Sequence, residues 1–416
     1  MRRTATTLFT SREPGRHENE TVQLIFRAGL VRQFGSGLYG FTPMGERVRQ
    51  QVLDHVEREM RAVGARRVNL PQLNYSPVWK ESGRWQDFEG EMFTLENRDG
   101  QEMCLAPSNE EGIVHLVEGT VRSYEDLPAL YYQIGAKHRD DHARGGLLRT
   151  KEFTMKDAYS FHTSLESLDE YYQQIRAAYL RIFDALGIEF AVTDAENDLM
   201  GGSDSEEFVA RARTGTTTLR RCTAEDCHFG ATEESPDGDF DGQSCPECGG
   251  DIEESEGIEI GHIFKLGPRY SKPMGLTVDL ADGSRQDVLM ASYGVGIERL
   301  IYTLVDQHGD EDGCRWSADG SGGVAPYAAS IIPLKYGDEL GAVADYIYEE
   351  CGPDRTLLFD DPDQSIGERF AESDLLGVPL KIIVGNEFRE TGEVEIETRD
   401  GETEYVTVEA VADRVG

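Results

Sequence analysis

Two extended runs, ALYYQIGAKHR from Ala129 and KEFTMKDAYSF from Lys151, flank a loop that holds the pair Gly145-Gly146. Such runs read as strands, and the glycine pair marks an irregular turn between them, so the segment predicts two partner strands joined by a loop. That loop and its arms gather Arg139, Arg144, Arg149 and Lys151 in a chain that elsewhere avoids positive charge. Neutralising Asp140, Asp141 and Glu152 is the plain use for these cations; binding an anionic ligand is the other.

The avoidance is strong. Across 416 residues, 78 Asp and Glu face 41 Lys and Arg, a formal charge of −37, and only 8 of the 41 are lysine. Charge of this size opposes compaction unless salt screens it, so the composition points to a high-salt cytoplasm, that of a halophile. It also argues against indiscriminate binding of polyanions, although a local site can differ from the average. No apolar stretch is long enough to span a membrane, and the opening MRRTATTLFTSREPGRHENE has no apolar core of a secretory signal. A cytoplasmic location is expected.

Val48, Val52, Val56 and Met60 recur every four residues in ERVRQQVLDHVEREMRAV, an amphipathic helix over 46–63 that Gly64 ends. A strand then runs to Pro71. A second long helix covers 166–186, and EMFTLENRDGQEMCLAP predicts a hairpin turning at Asp99-Gly100. EIGHIFKLG and DVLMASYGVG add strands before a helix at IERLIYTLVDQ. Antiparallel strands with helices alongside make an α+β domain over 1–310. A Gly-, Ser- and Asp-rich linker is expected over 311–325. From 326 to 416 strands and helices alternate, as in a small α/β domain with parallel early strands.

A cysteine-rich insertion occupies 215–258. Four residues separate Cys222 from Cys227, 2 separate Cys245 from Cys248, and 17 separate the pairs. Four thiolates in Gly-rich turns can converge tetrahedrally on Zn2+, and a segment this poor in apolar residues needs a metal to fold. The expected zinc is structural, with His228 a bystander.

The run KHRDDHARGGLLRTKEFTMKDAYSFH resembles the second signature motif of class II aminoacyl-tRNA synthetases, specifically the bacterial-type prolyl-tRNA synthetases. LVRQFGSGLYGFTPMGERV, WKESGRW, RVNLPQL, LAPSNEE, GGSDSEEF, GIEIGHIFKLGPRYS and YGVGIERL extend the likeness, and LLFDD with GERFAESDLLGVPLKIIVG is similar to the family's anticodon-binding domain. The resemblance implies a class II catalytic domain, an antiparallel sheet flanked by helices, with a C-terminal α/β anticodon-binding-like domain. It implies a homodimer that activates proline with ATP and Mg2+ and passes it to tRNA(Pro). It also implies roles. Arg139 would hold the α-phosphate with Arg149 and Lys151 beside it, Phe153 would stack on adenine, and Arg299 would grip the γ-phosphate. Asp141 would help place ATP, and Glu298 would orient Arg299 or help bind magnesium. Ser108 and Glu110 would accept the secondary ammonium of proline, with Trp85, Phe161 and His162 around its ring. No protein nucleophile is needed, because positioning and cations carry adenylate formation.

The pattern departs from the family in places. Between GGS and GHIF the usual bacterial members carry an editing domain, and here only the cysteine-rich module intervenes. Asp141 stands for a Glu, Lys151 for an Arg, Ser108 for a Thr and Ser292 for a Cys. From residue 326 onward 22 acids face 7 cations, and Pro362 and Ser365 occupy positions where the family has arginines. Arg369 is the cation expected to meet RNA there. A diverged paralogue that loads another acceptor, or regulates by binding a ligand, is the second reading.

Overall fold

The computed structural model describes the chain except residues 12–16, 18, 89, 196–199, 234, 236–241 and 318–322. Its residues cluster into two compact units: Met1–Phe34, Tyr39–Val52 and Leu304–Gly416 form one, Gly35–Leu38 and Leu53–Thr303 the other.

The larger unit is built on a nine-stranded sheet. Its strands are β1 (Arg66–Arg67), β2 (Ala129–His138), β3 (Glu152–His162), β4 (Phe190–Ala195), β5 (Asp204–Ala212), β6 (Thr217–Cys222), β7 (Gly230–Thr232), β8 (Ile252–Gly267) and β9 (Leu289–Gly296). They run in the order β7-β6-β8-β9-β3-β2-β1, with β5 on β8 and β4 on β5. The two expected partner strands are β2 and β3, paired antiparallel from Ala129↔Phe161 to His138↔Glu152. The edge differs from the expectation. β1 is two residues long and parallel to β2, so the sheet is mixed. The strand expected to reach Pro71 stops early; Leu70 N–H is met by the Gln133 side chain at 3.0 Å rather than by a ladder bond.

Helix α1 (Pro43–Ala62) carries the four-residue stripe, and Val48, Val52, Val56 and Met60 are all fully buried within this one chain. Helix α2 (Leu165–Ala185) starts at Ser164, whose side chain accepts from Ser167 N–H. Its buried stripe of Leu168, Tyr172, Ile175, Tyr179, Ile182 and Phe183 packs on β3, β8 and β9. That packing fixes the two faces of β3: even-numbered residues meet α2, as Lys156 meets the Tyr179 hydroxyl, and odd-numbered ones face away.

In the other unit, β10 (Ala329–Pro333) pairs parallel with β11 (Thr356–Leu358) and β12 (Leu380–Val384), and β13 (Glu393–Thr398) and β14 (Thr403–Thr407) follow antiparallel. Two sequence expectations change here. Residues 1–34, assigned to the catalytic domain, cluster with the C-terminal sheet: Leu358 N–H donates to Met1 O at 2.9 Å and Arg2 pairs with Asp345 at 2.7 Å. Part of the 311–325 linker is also tied down. Trp316 is buried with its Nε1–H on Leu376 O at 2.9 Å, while 318–322 lie outside the described residues.

The expected RNA contact fails as well. Arg369 is 2 % exposed, and its guanidinium donates to the carbonyls of Pro333 and, at 2.6 Å, Asp361. A guanidinium that satisfies backbone carbonyls under its own loop cannot reach an incoming nucleotide.

Candidate active site

The outward face of β3 floors a cavity of about 620 Å3, within the usual range for small-molecule sites. Phe153, Met155, Asp157 and Tyr159 line it in alternation, as the pleat requires. Arg139 enters from the end of β2, with its Nε–H 3.3 Å from Pro107 O and its guanidinium 5.4 Å from the Phe153 ring centre. Arg299 enters from the first turn of α3 (Ile297–His308), donating to Leu148 O at 3.2 Å, Glu259 O at 2.9 Å and the Glu259 carboxylate at 2.7 Å. Burial and the neighbouring Arg299 both lower the Arg139 pKa from its ordinary value. Burial would raise Glu259, but Arg299 and His262 outweigh it and hold that carboxyl well below the usual range. Two cations facing one cavity favour a polyanion between them. Arg149, Asp141 and Glu298 line the same space.

Ser108 and Glu110 lie on its inner wall, both buried. Ser292 Oγ–H donates to Glu110 at 2.9 Å. Burial pushes Glu110 up, but Arg84 and the Ser108 and Ser292 hydroxyls prevail and its pKa is lowered. A buried ionised carboxylate beside a hydroxyl suits an ammonium.

Four expected residues stand elsewhere. His162 is even-numbered, so it faces α2, where Nδ1 meets Ser167 Oγ at 2.9 Å; burial lowers its pKa to about 4. Phe161 keeps the cavity side but is sealed in the core against Tyr131 and is not among the lining residues. Trp85 is turned away because Gly83, at φ 85°, reverses the chain after Ser82 and sends Arg84 inward instead. Phe88 takes the aromatic place in the wall. Lys151 is drawn outward into an ion pair with Asp140 and sits 5.4 Å from the Phe93 ring centre. Glu298 accepts from Thr154 N–H at 2.8 Å, which ties α3 to β3.

The sequence reading missed a cluster. Ligand atoms of Glu207, Glu259 and His262 lie within 4.8 Å of one another on the cavity wall. Strict alternation places Glu259 and His262 on opposite faces. A bulge between Phe208 and Val209, where Ile260 is skipped in the pairing, shifts the phase and brings both to the side of Glu207. Two carboxylates suit magnesium, and the His262 nitrogen, the softer donor, is 3.3 Å from Glu207.

The four cysteines converge as expected. Cys222 and Cys248 sulfurs are 3.4 Å apart, Cys227 and Cys245 are 3.6 Å apart, and all four fall within 4.8 Å. A tetrahedron with Zn–S bonds of about 2.3 Å has sulfur separations of roughly 3.8 Å. Gly250 lies against this cluster, where a Cβ would meet Cys222 and Cys248 sulfurs at 3.2 and 3.3 Å. His228 stacks on Phe190 at 4.7 Å between ring centres and stays out of the cluster.

Residues 93–308 match the tRNA synthetase class II core domain (G, H, P, S and T), and residues 328–416 match an anticodon binding domain. A proline–tRNA ligase of Agrobacterium fabrum is 36 % identical, with 94 % of each chain covered. One of Halothermothrix orenii is 30 % identical over 532 aligned residues, 92 % of this chain and 93 % of that one; the alignment is longer than this chain. Among solved structures, the prolyl-tRNA synthetase of Giardia lamblia in complex with prolyl-adenylate superposes with a TM-score of 0.76 at 20 % identity, covering 94 % of this chain and 74 % of that one. That of Cryptosporidium parvum with halofuginone and AMPPNP gives 0.74 at 17 %, covering 95 % and 74 %. With a class II core built around a cavity lined by two arginines and a buried serine–glutamate pair, the chain belongs to the bacterial-type proline–tRNA ligases.

Proposed function

We propose that this cavity activates proline with ATP to prolyl-adenylate and that the chain transfers it to the 3′ end of tRNA(Pro). The observation that carries the reading is the convergence of Arg139 and Arg299 with Ser108 and Glu110 on one cavity. Arg139 would hold the α-phosphate and orient the attacking carboxylate, Arg299 the γ-phosphate, and Phe153 the adenine. Ser108 and Glu110 would take the ammonium. Magnesium would be held by Glu207 and Glu259 rather than by Glu298, and when bound it neutralises charge growing on the phosphates. Wild-type protein should exchange pyrophosphate into ATP with proline and not with alanine at equal concentration. Exchange with another amino acid alone refutes the assignment.

Among the described residues, β6, β7 and the cysteine module are what lies between β5 and β8, which supports the reading that no editing domain is inserted there. Rejection of alanine then rests on the cavity, where one methylene is worth roughly 1–3 kcal/mol. From residue 326 onward, six of the seven cations are engaged. Arg355 and Arg369 bind carbonyls, and Lys381, Arg389, Arg399 and Arg414 bind acids. This argues against anticodon reading through many phosphate contacts and leaves base and shape contacts to carry it. The KM for tRNA should therefore depend on salt more weakly than the slope of about −0.7 per phosphate contact of a single strand. A slope of several contacts, lost on replacing Lys335 and Arg389, would restore a phosphate-binding anticodon domain.

We assign structural zinc to the four cysteines. Protein grown with zinc should carry about one ion per chain by mass spectrometry, and Cys245→Ser should lose it while exchange persists. Folded, reduced protein without zinc refutes the site. A homodimer is supported by Leu73, Tyr75 and Leu95, exposed at 46 %, 47 % and 43 % beside Pro71; the α1 stripe, already buried, is not the contact. Light scattering through a salt series tests this together with the cytoplasmic, high-salt setting: a dimer in molar salt should lose its fold as salt is removed.

A further inference from the structure

Arg84 has no part in the roles so far assigned, yet it is completely enclosed beside the cavity, at 0 % exposure. Its Nη2–H donates to Ser108 Oγ at 2.8 Å, and its Nη1–H reaches Glu110 at 3.1 Å and Glu111 at 3.2 Å. The guanidinium carbon lies 4.6 Å from the Phe88 ring centre, 5.1 Å from Tyr270 and 5.2 Å from Trp79, so aromatic rings close it off from water. Its Nε has no partner. One rigid fork therefore touches both residues that the proposed reaction uses for the substrate ammonium, from the side away from the ligand.

We infer that Arg84 is a positioning residue for the amino-acid half of the reaction: it fixes the Ser108 hydroxyl and the Glu110 carboxylate as one acceptor for the secondary ammonium of proline. The inference rests on the proline-site reading above. A guanidinium is suited to this because its donors are coplanar and diverge at fixed angles, whereas an ammonium offers a single point of charge. Since Nη2–H donates to Ser108 Oγ, the serine's own proton is directed elsewhere and a lone pair stays available beside Glu110.

The charge count sharpens the role. Two buried carboxylates, Glu110 and Glu111, share one guanidinium. Ser82 Oγ–H donates to Glu111 at 2.7 Å. Burial raises the pKa of Glu111 and Arg84 only partly offsets it, while Glu110 is lowered. The pair is thus driven apart: Glu110 is shifted toward the ionised form and Glu111 toward the protonated one. The charged and titratable groups that face Glu110 are Arg84, Glu111, Tyr270, Tyr159 and, more distantly, Arg139. Of these, Arg84 alone both carries full positive charge and makes a direct bond to it.

The test is the KM for proline in pyrophosphate exchange, measured from pH 6 to 8 beside the KM for ATP. In the wild type Glu110 is ionised throughout and the proline KM should not follow a carboxyl titration in this range. In Arg84→Met the buried Glu110 loses its cation and its pKa rises. Its ionised fraction then grows with pH, so the proline KM should be raised at least tenfold at pH 6 and fall toward pH 8. The ATP KM should stay within about twofold. Arg84→Lys keeps the charge but not the fork. It should raise the proline KM severalfold with no new pH dependence, and it serves if the methionine variant does not fold. A folded Arg84→Met, or failing it Arg84→Lys, with wild-type proline KM overturns the inference, as does an equal loss of proline and ATP affinity. Wild-type protein that does not use proline at all instead refutes the reading beneath it.

Discussion

Arg139→Ala and Arg299→Ala should each lower proline-dependent pyrophosphate exchange by about 100- to 1000-fold, the effect of removing one aimed donor from a developing negative charge. The two losses should not look alike. Arg139 stands at the end of β2, and among the described residues its side chain makes one hydrogen bond, 3.3 Å to Pro107 O, so its truncation leaves the wall intact and acts on kcat. Arg299 holds Leu148 and both the carbonyl and carboxylate of Glu259. Without it, Glu259 loses its largest compensating charge, and its pKa should rise. Arg299→Ala should therefore raise the ATP KM as well as lower kcat, and magnesium should be needed at higher concentration as pH falls. Arg299→Lys is expected to recover little, since one ammonium cannot serve three acceptors in a plane. Exchange that survives either alanine within tenfold removes these residues from the chemistry.

The residues that were legible in the sequence are those whose position follows from alternation or helical period. Phe153, Arg139 and Arg299 flank strands of regular pleat, and the four valine and methionine positions of α1 repeat without interruption. The misplaced ones each depend on a local break. His162 is separated from the cavity residue Tyr159 by an odd step, a fact available from the sequence and overridden by the family likeness. Trp85 and Arg84 exchange places because of the left-handed Gly83, which a WKESGRW motif does not announce. The Glu259–His262 pairing needs a bulge, and nothing in GIEIGHIF marks where the phase slips. Composition marks Arg369 only as a cation in an acidic domain, whereas its guanidinium is turned inward onto two backbone carbonyls.

Lys137→Met should be strongly destabilising, lowering the unfolding free energy by about 3–5 kcal/mol, the loss seen when one member of a buried ion pair is removed. Lys137 has no exposed side-chain surface and Asp157 has 3 %, with 2.8 Å between Nζ and the carboxylate. Gln133 Nε2–H and Tyr159 O–H also donate to Asp157, each at 2.8 Å. The variant keeps those two neutral donors but leaves the charge on the floor of the cavity without a counterion. Tyr159 O is in turn 3.2 Å from Asn109 N–H, so the network joins β2 and β3 to the turn that presents Ser108 and Glu110. Denaturant unfolding followed by tryptophan fluorescence measures the loss, and the double variant Lys137→Met with Asp157→Leu separates charge from packing. If the penalty comes from the orphaned carboxylate, the double variant should regain most of the stability, because replacing a buried pair by apolar groups of similar volume is close to neutral. It should not regain proline affinity, since the hydroxyl of Tyr159 then has no acceptor to fix it under Asn109. A double variant as unstable as the single one would place the effect in packing, and the pair would then be a consequence of the β2–β3 register rather than a support for it.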